Sequence, residues 1–581
     1  MSIDIETYRL KAQEAIEYVF VKEYHNSLGI PMPIVKMLLP DDANYSTGQY
    51  YITIDKTWQI HLNFGKLPIS YHEFQNEVKV LTRHEIEHYM CCPFDVITHF
   101  RMLKRIKDVY YKHFSHLGIN IKYACGAISN QAADIIVDTK NYYRHSKETL
   151  KSEIDWIKIG ANISACPRHC KLMFLTKEAI WKEDLGINET DPEFLKIVHQ
   201  LADSFTKNGI EDKSSFLDKV EEYAEIFFKL YVEDQKNPQQ SGQQGSQQQS
   251  GQQGPQQQSG QQGSQQQSGQ QGSQQQSGQW GVGRPKDGDE HGNAFVFADP
   301  DKVKEAIEVL AEETSVEEFI DLLAIAGIIG MSDKQKGVLW FNVQSANIIP
   351  IVEFSNTGNK SSYTYPSVWR IGDPIEELDL MLTYMTSPRL IPGMTTKKWE
   401  YVSNDDNGTE SKQMDLLLVV DTSGSMGSAM KESANMHQAV LASYGILSYF
   451  ESTKSKVAFI GFSDKIDAYV DWSDKYDDVR ERLLTNGHGG TKFPISRIKS
   501  TLDVRSRDLV TVLITDGDLG NINESVSYFR DYLNDDNKLY IFLLGGSKSL
   551  HSYEPLKNIG AKIYNANNAN EFCDMVLTDM E

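Results

Sequence analysis

The chain has 581 residues, 40% of them hydrophobic, with 58 basic against 80 acidic residues and a net charge of −22. That length makes about three or four domains with sizeable cores. The missing basic block argues against a nucleic-acid partner, the missing long apolar run against a membrane anchor, and six scattered cysteines against a disulfide framework, so a reducing cytoplasm is expected.

The first twenty residues are charged throughout and read as an amphipathic helix, not a signal peptide. Residues 1–235 are expected to form a mostly α domain, since runs such as NEVKVLTRHEIEHYM, QAADIIVDTKNYY and FLDKVEEYAEIFFKLYV space apolar residues by three and four. A short β element is expected at 50–63, where apolar and polar residues alternate. From 236 to 293 the chain is dominated by Gln, Gly and Ser with a nine-residue repeat; it cannot bury apolar surface and is expected to be a disordered linker. As a flexible coil of 58 residues, its ends would lie roughly 40 Å apart and give two heads reach.

Residues 294–412 are expected to be an adaptor region. It starts with two helices, DPDKVKEAIEVLAEE and SVEEFIDLLAIAG, and continues with β-like runs KGVLWFNVQ and ANIIPIVEFS. From 413 to 581, buried strand candidates MDLLLVVD, KVAFIGFS, LVTVLITD and KLYIFLLGG alternate with helical stretches. That pattern predicts an α/β, doubly wound parallel sheet covered on both faces, with ligands at the carboxyl ends of its strands.

Two groups of residues carry chemistry. The first is HEIEH: His84 and His88 are one helical turn apart and share a face with Leu81, and the helix should stop before Pro93. Two such histidines with a third ligand make a zinc site, and Glu85 could act as general base. Downstream, Asn130, Asp134 and Asp138 also share one helical face. Asp134 is the expected third ligand, Asp138 the next candidate, and Asn130 a supporting residue. Cys92, one turn beyond His88, is a competing thiolate ligand. Cys166, His169 and Cys170 lack a matching second pair.

The second group is DTSGS, GGT and ITDGD. Asp421, Ser423, Ser425, Thr491 and Asp516 are hard oxygen donors placed where apolar runs end in Gly-rich turns, which suits Mg²⁺ or Mn²⁺.

The HEIEH spacing resembles the HExxH zincin metallopeptidases. It departs from two branches of them, with Phe94 in the place of a third histidine and Asn130 in the place of a ligating Glu. DTSGS, GGT and ITDGD resemble the metal-ion-dependent adhesion site of the von Willebrand factor A domain. That resemblance covers about 165 residues and implies that Ser423, Ser425 and Thr491 ligate the ion, with Asp421 and Asp516 acting mainly through water. One position would stay open to a Glu or Asp of a protein partner.

The order HExxH, N-x-x-x-D helix and C-terminal A domain is similar to bacterial and archaeal proteins in which a metallopeptidase-like domain is fused to an A domain. By that resemblance the partner could be a MoxR-type AAA+ ATPase; the chain itself has no GxxxxGK[ST] motif. The expectation is a zinc metallopeptidase coupled to a Mg²⁺-dependent recognition domain. The alternative is a non-enzymatic adaptor of such an ATPase with a structural zinc.

Overall fold

Helical periodicity in the first 235 residues becomes long helices around a small sheet, and the apolar runs after residue 413 become a six-stranded sheet. The computed structural model describes residues 5–38, 50–54, 59–64, 70–159, 163–236, 300–326, 328, 331–346, 363–369, 397–402, 414–505, 508–517, 519–535, 537–545 and 551–566. They fall into two compact units, Met1–Thr314 with Glu318–Gly330, and Ser315–Glu317 with Met331–Glu581.

In the first unit, α1 (Ile5–Glu17) and α2 (Tyr71–Met90) pack through Ala12, Ile16, Phe74, Val78 and Ile86. The sheet beside them pairs β1 (Ile34–Met37) parallel to β3 (Gln59–Phe64) and β2 (Tyr50–Ile54) antiparallel to it. Thus the β element read at 50–63 is present, and the four-residue strand β1 went unread.

Helix α2 starts at a Ser70 N-cap: Ser70 Oγ accepts the Glu73 N–H at 3.4 Å and donates to the Glu73 carboxylate at 2.9 Å. It stops at Met90, ahead of Pro93. Next come α3 (Val96–Val109), α4 (Ile121–Ile159, kinked at His145), α5 (Arg168–Trp181), α6 (Pro192–Thr206), α7 (Phe216–Lys236), α8 (Pro300–Glu313) and α9 (Val316–Ile325).

Glu87 of α2 is 0% exposed, and three groups surround its carboxylate. They are Lys140 Nζ at 2.8 Å, Arg144 Nη1 at 2.9 Å and the Tyr24 hydroxyl at 3.0 Å. Four residues before it, Arg83 is paired with Glu23 at 2.6 Å and with Glu148. Charges at this depth persist only when paired and hydrogen-bonded, so these contacts fix how α2 lies against α4.

The Gln/Gly/Ser stretch lies outside the described residues, but its flanks do not. Both α7 and α8 pack on α3, with Arg105 reaching Glu221 of α7 at 2.9 Å and Arg101 reaching Glu313 of α8. Lys107 also meets Asp321 of α9 at 3.0 Å. Both ends of the stretch therefore attach to one unit. The sequence expectation of a tether between two heads differs from this, because the helices at 300–325 belong largely with the N-terminal domain.

In the second unit, α10 (Asp333–Ala346) contains the run KGVLWFNVQ, which the sequence reading gave as β-like. The buried residues Lys336, Gly337, Trp340, Phe341 and Ser345 recur at helical spacing, and Ser332 Oγ caps the helix by accepting the Gln335 N–H at 3.2 Å. A short apolar run fits either period until packing decides. Most of the run ANIIPIVEFS lies outside the described residues. A ribbon of β4 (Tyr363–Val368) and β5 (Lys397–Val402) follows.

The main sheet has β6 (Asp415–Asp421), β7 (Val457–Phe462), β8 (Ile466–Ser473), β9 (Leu509–Thr515), β10 (Lys538–Leu544) and β11 (Lys562–Ala566), in the order β11-β10-β9-β6-β7-β8. All pairs are parallel except the β7–β8 edge. Leu416, Leu418 and Val420 and the alternating Leu417 and Val419 are all 0% exposed, so β6 is buried on both faces. On one face Leu417 and Val419 join Leu502 of α13 (Ile495–Leu502) and Phe529 of α14 (Val526–Asn534). On the same unit α11 (Asn435–Ser452) packs against β6 and carries α10 through a Phe341–Tyr444 ring contact at 5.5 Å. The helix α12 (Tyr476–Leu483) sits on β7 and β8.

From β6 the chain builds outward through β7 and β8, then returns to β9 on the other side and continues to β10 and β11. The parallel neighbours β6 and β9 are thus the switch point, where a crevice opens at the strands' carboxyl ends.

Glu87→Ala would take the buried carboxylate from both Lys140 and Arg144 and leave Lys140 with the more exposed Glu211 at 3.1 Å. We expect a loss of about 3–5 kcal/mol in the stability of the N-terminal unit, read by urea unfolding of the full chain.

Candidate metal centres

Helices α2 and α4 cross with His84 and His88 on one and Asp134 and Asp138 on the other. Three atoms converge there. His84 Nε2 and His88 Nε2 are 3.1 Å apart, and Asp134 Oδ1 lies 3.5 Å from the first and 3.2 Å from the second. Among the described residues this is the group of His, Cys, Asp or Glu ligand atoms close enough to share a metal ion.

The back of each donor is held. His84 Nδ1 faces Asp138 Oδ1 at 2.6 Å, and His88 Nδ1 faces the Cys92 carbonyl at 2.9 Å. With Nδ1–H donating to an oxygen, Nε2 presents its lone pair inward, which is the arrangement metal-ligating histidines use. Asn130 Nδ2 donates to Asp134 Oδ2 at 3.2 Å, leaving Oδ1 for the centre. That Oδ1 is buried, and although both imidazoles are near, no well-directed hydrogen bond reaches it among the described residues. A buried carboxylate oxygen in that state fits a cation. The group can hold a metal ion.

The structure therefore brings together His84, His88 and Asp134. It places Asp138 behind His84 instead of in the donor triangle. The Cys92 thiol is fully buried, and burial pushes it well above its ordinary range, so it stays protonated. Its backbone carbonyl contributes instead, beyond the end of α2. Glu85 is 8% exposed and acts electrostatically on His88. His169 is tied to Asp234 at 2.8 Å and joins no ligand group with Cys166 and Cys170.

A residue the sequence reading missed lies one layer out. Lys177 of α5 is 2% exposed and donates to Asp138 Oδ2 at 3.0 Å and to Glu153. Burial works against its charge, but Asp138 and then Glu153 outweigh that and hold the ammonium above its usual range. The one signal available was a lysine inside the mostly apolar stretch LMFLTKEAIW.

The oxygen group forms at the β6–β9 switch point. Ser423 Oγ and Ser425 Oγ are 3.1 Å apart, and Ser425 Oγ donates to Asp516 Oδ1 at 3.0 Å. Both oxygens of Asp421 are engaged, Oδ1 by the Ser423 N–H at 2.8 Å and Oδ2 by the Thr515 hydroxyl at 2.7 Å. Burial, the larger effect on Asp421, raises its pKa. The Gly424 N–H reaches the Gly489 carbonyl at 3.3 Å and so draws the third loop in. Thr491, two residues on, makes no hydrogen bond to the other four among the described residues. Gly487 has no room for a side chain, since a Cβ would stand 2.3 Å from Asp467 Oδ2 and 2.5 Å from the Thr422 carbonyl. Asn435, which the sequence reading did not single out, donates to Asp516 Oδ2 at 3.1 Å from the start of α11.

No family model matches the chain, and no curated protein matches it. Several solved structures resemble part of it. One is a conserved hypothetical protein BatB from Bacteroides thetaiotaomicron, 13% identical, matched over 29% of this chain and 97% of that one with a TM-score of 0.25. Another is an uncharacterized membrane spanning protein from Vibrio fischeri, 18% identical, matched over 28% of this chain and 96% of that one with a TM-score of 0.13. Among the described residues, no helix is long and apolar enough to cross a membrane.

Burial alone would lower the pKa of His88, but the Asp134 carboxylate against it lifts it from 6.5 to about 9. The folded, metal-free protein thus holds a proton that the unfolded chain releases earlier. That stabilisation is full below pH 6.5 and is lost as pH rises through about 9. In chelator-treated protein the stability of the N-terminal unit should fall across that window, and His88→Ala should flatten the fall in urea unfolding followed against pH.

Proposed function

We propose that the N-terminal unit binds zinc through His84, His88 and Asp134 and acts as a zinc-dependent peptidase, while the C-terminal unit is a von Willebrand factor A-type domain that binds a protein partner through Mg²⁺. The donor triangle carries the first half of this reading. Its sides of 3.1, 3.2 and 3.5 Å match the edge of about 3.3 Å between ligands placed tetrahedrally at roughly 2.0–2.1 Å from zinc. Three protein ligands leave the fourth position for water. Bound there, zinc would lower the pKa of that water toward about 7. Glu85, beside His84 and one turn before His88, is suited to accept its proton.

The second half rests on the oxygen group and its place in the sheet. The 3.1 Å separation of Ser423 Oγ and Ser425 Oγ, the two hydroxyls this reading puts on the ion, approaches the edge of about 2.9 Å expected for octahedral Mg²⁺ with ligands at roughly 2.0–2.1 Å. The full engagement of Asp421 by Ser423 and Thr515 supports its acting outside the ligand shell. A shell with few direct carboxylates keeps the ion electrophilic and favours capture of a Glu or Asp from a partner, which in this reading could be a MoxR-type AAA+ ATPase.

One observation favours the non-enzymatic alternative. His84, His88 and Glu85 are only 3, 4 and 8% exposed, and a covered site suits a structural ion unless the unit opens.

Metal analysis of the full chain should find about one zinc, lost in His84→Ala. Glu85→Gln should retain the zinc and abolish peptide hydrolysis; a folded, zinc-loaded wild-type chain without hydrolysis of any peptide would leave the adaptor reading. For the second unit, Mg²⁺ should raise the unfolding temperature of the wild type, and Ser425→Ala should remove that shift.

A further inference from the structure

Lys177 stands apart from the other buried charges of the first unit because it does not simply join two helices. It lies on α5, which docks on α4 through the Trp181 Nε1–H to Thr139 Oγ1 bond at 3.0 Å. The Phe174 and Trp181 rings flank its ammonium, with centroids at 5.2 and 5.9 Å. From there the contacts run in one line: Lys177 Nζ to Asp138 Oδ2 at 3.0 Å, then Asp138 Oδ1 to His84 Nδ1 at 2.6 Å, then His84 Nε2 to the donor triangle.

We infer that Lys177 is a positioning residue for the metal centre, fixing the Asp138 carboxylate so that His84 is held with Nε2 turned toward the ion. This rests on the metal reading of His84, His88 and Asp134.

The argument is one of orientation. A carboxylate held on one oxygen can turn about its last torsion, whose energy well is broad. Here the two oxygens are gripped from opposite sides, one by an ammonium and one by an imidazole N–H. The ammonium is itself oriented by Glu153 and by the aromatic walls, and its burial keeps water from competing for Asp138. Charge-assisted hydrogen bonds of this kind are about twice as strong as neutral ones. Partners one layer behind metal ligands typically alter metal affinity by about 10–100-fold when removed.

A purely structural lysine would make a different set of variants fail. In Lys177→Met, Asp138 and Glu153 both lose the Lys177 ammonium, and lower stability would be expected on either account. In the double variant Lys177→Met with Glu153→Gln, one of the two unbalanced carboxylates is gone, while Asp138 still lacks its anchor.

Zinc affinity of the full chain is measured by competition with a chromogenic chelator, alongside urea unfolding of the metal-free protein and the ligand-field absorption of the cobalt-loaded protein. The inference expects zinc affinity to fall by about 10–100-fold in both variants, with altered cobalt bands, and with no recovery of affinity when Glu153→Gln restores stability. Where the single variant does not fold, the double variant carries the test. Affinity within about twofold of wild type in either folded variant, or affinity that recovers together with stability, overturns the inference and leaves the metal reading standing. A wild-type chain that binds no zinc overturns both.

Discussion

Paired charge in a dry interior governs the N-terminal unit. Where α2 meets α4, carboxylates at 87, 134 and 138 face cations or imidazoles at 140, 144, 177, 84 and 88. Each would be costly alone, because desolvation of an unpaired ion exceeds what packing returns. The pairs alternate along both helices at steps of about one turn. Sliding one helix by a turn would leave several of them unmatched at once, so the register is set by charge as much as by shape. The convergence of three ligand atoms follows from that register.

The second unit reaches a similar end by other means. Its donors come from loops that leave the carboxyl ends of β6 and β9, and the backbone does much of the holding. An N–H from Ser423 grips Asp421, and an N–H from Gly424 ties in the loop at Gly489. Side chains at helix crossings suit imidazole and a hard geometric demand, while strand ends with short hydroxyl and carboxylate side chains suit a hydrated oxygen-loving cation.

The long helices, the four continuous strands and the His84, His88, Asp134 group were legible because each repeats a strong period or a spaced motif. What was not legible has specific causes. Spacing placed Asp134 and Asp138 on one face of α4 but could not tell the carboxylate that joins the donor triangle from the one behind His84, which depends on where α2 lies. Cys92 read as a thiol, yet its carbonyl is what His88 uses, and a backbone atom leaves no mark in a sequence. The edge strand β8 mixes exposed and half-buried residues with a single buried one, Ala468, so it lacked the continuous apolar signature of its neighbours, and α10 shows how a short apolar run is ambiguous until its partner is known. Lys177 escaped notice because lysine is seldom so deeply covered.

The attachment of α7 and α8 to the same helix turns the intervening glutamine-rich stretch into an excursion that departs from and returns to one body. For a stretch whose composition predicts a flexible coil, the entropy of closure grows only with the logarithm of its length, so doubling it costs about 0.6 kcal/mol. The copy number of the nine-residue repeat is therefore nearly invisible to the fold, and it is free to drift without disturbing the ion-paired helices on either side.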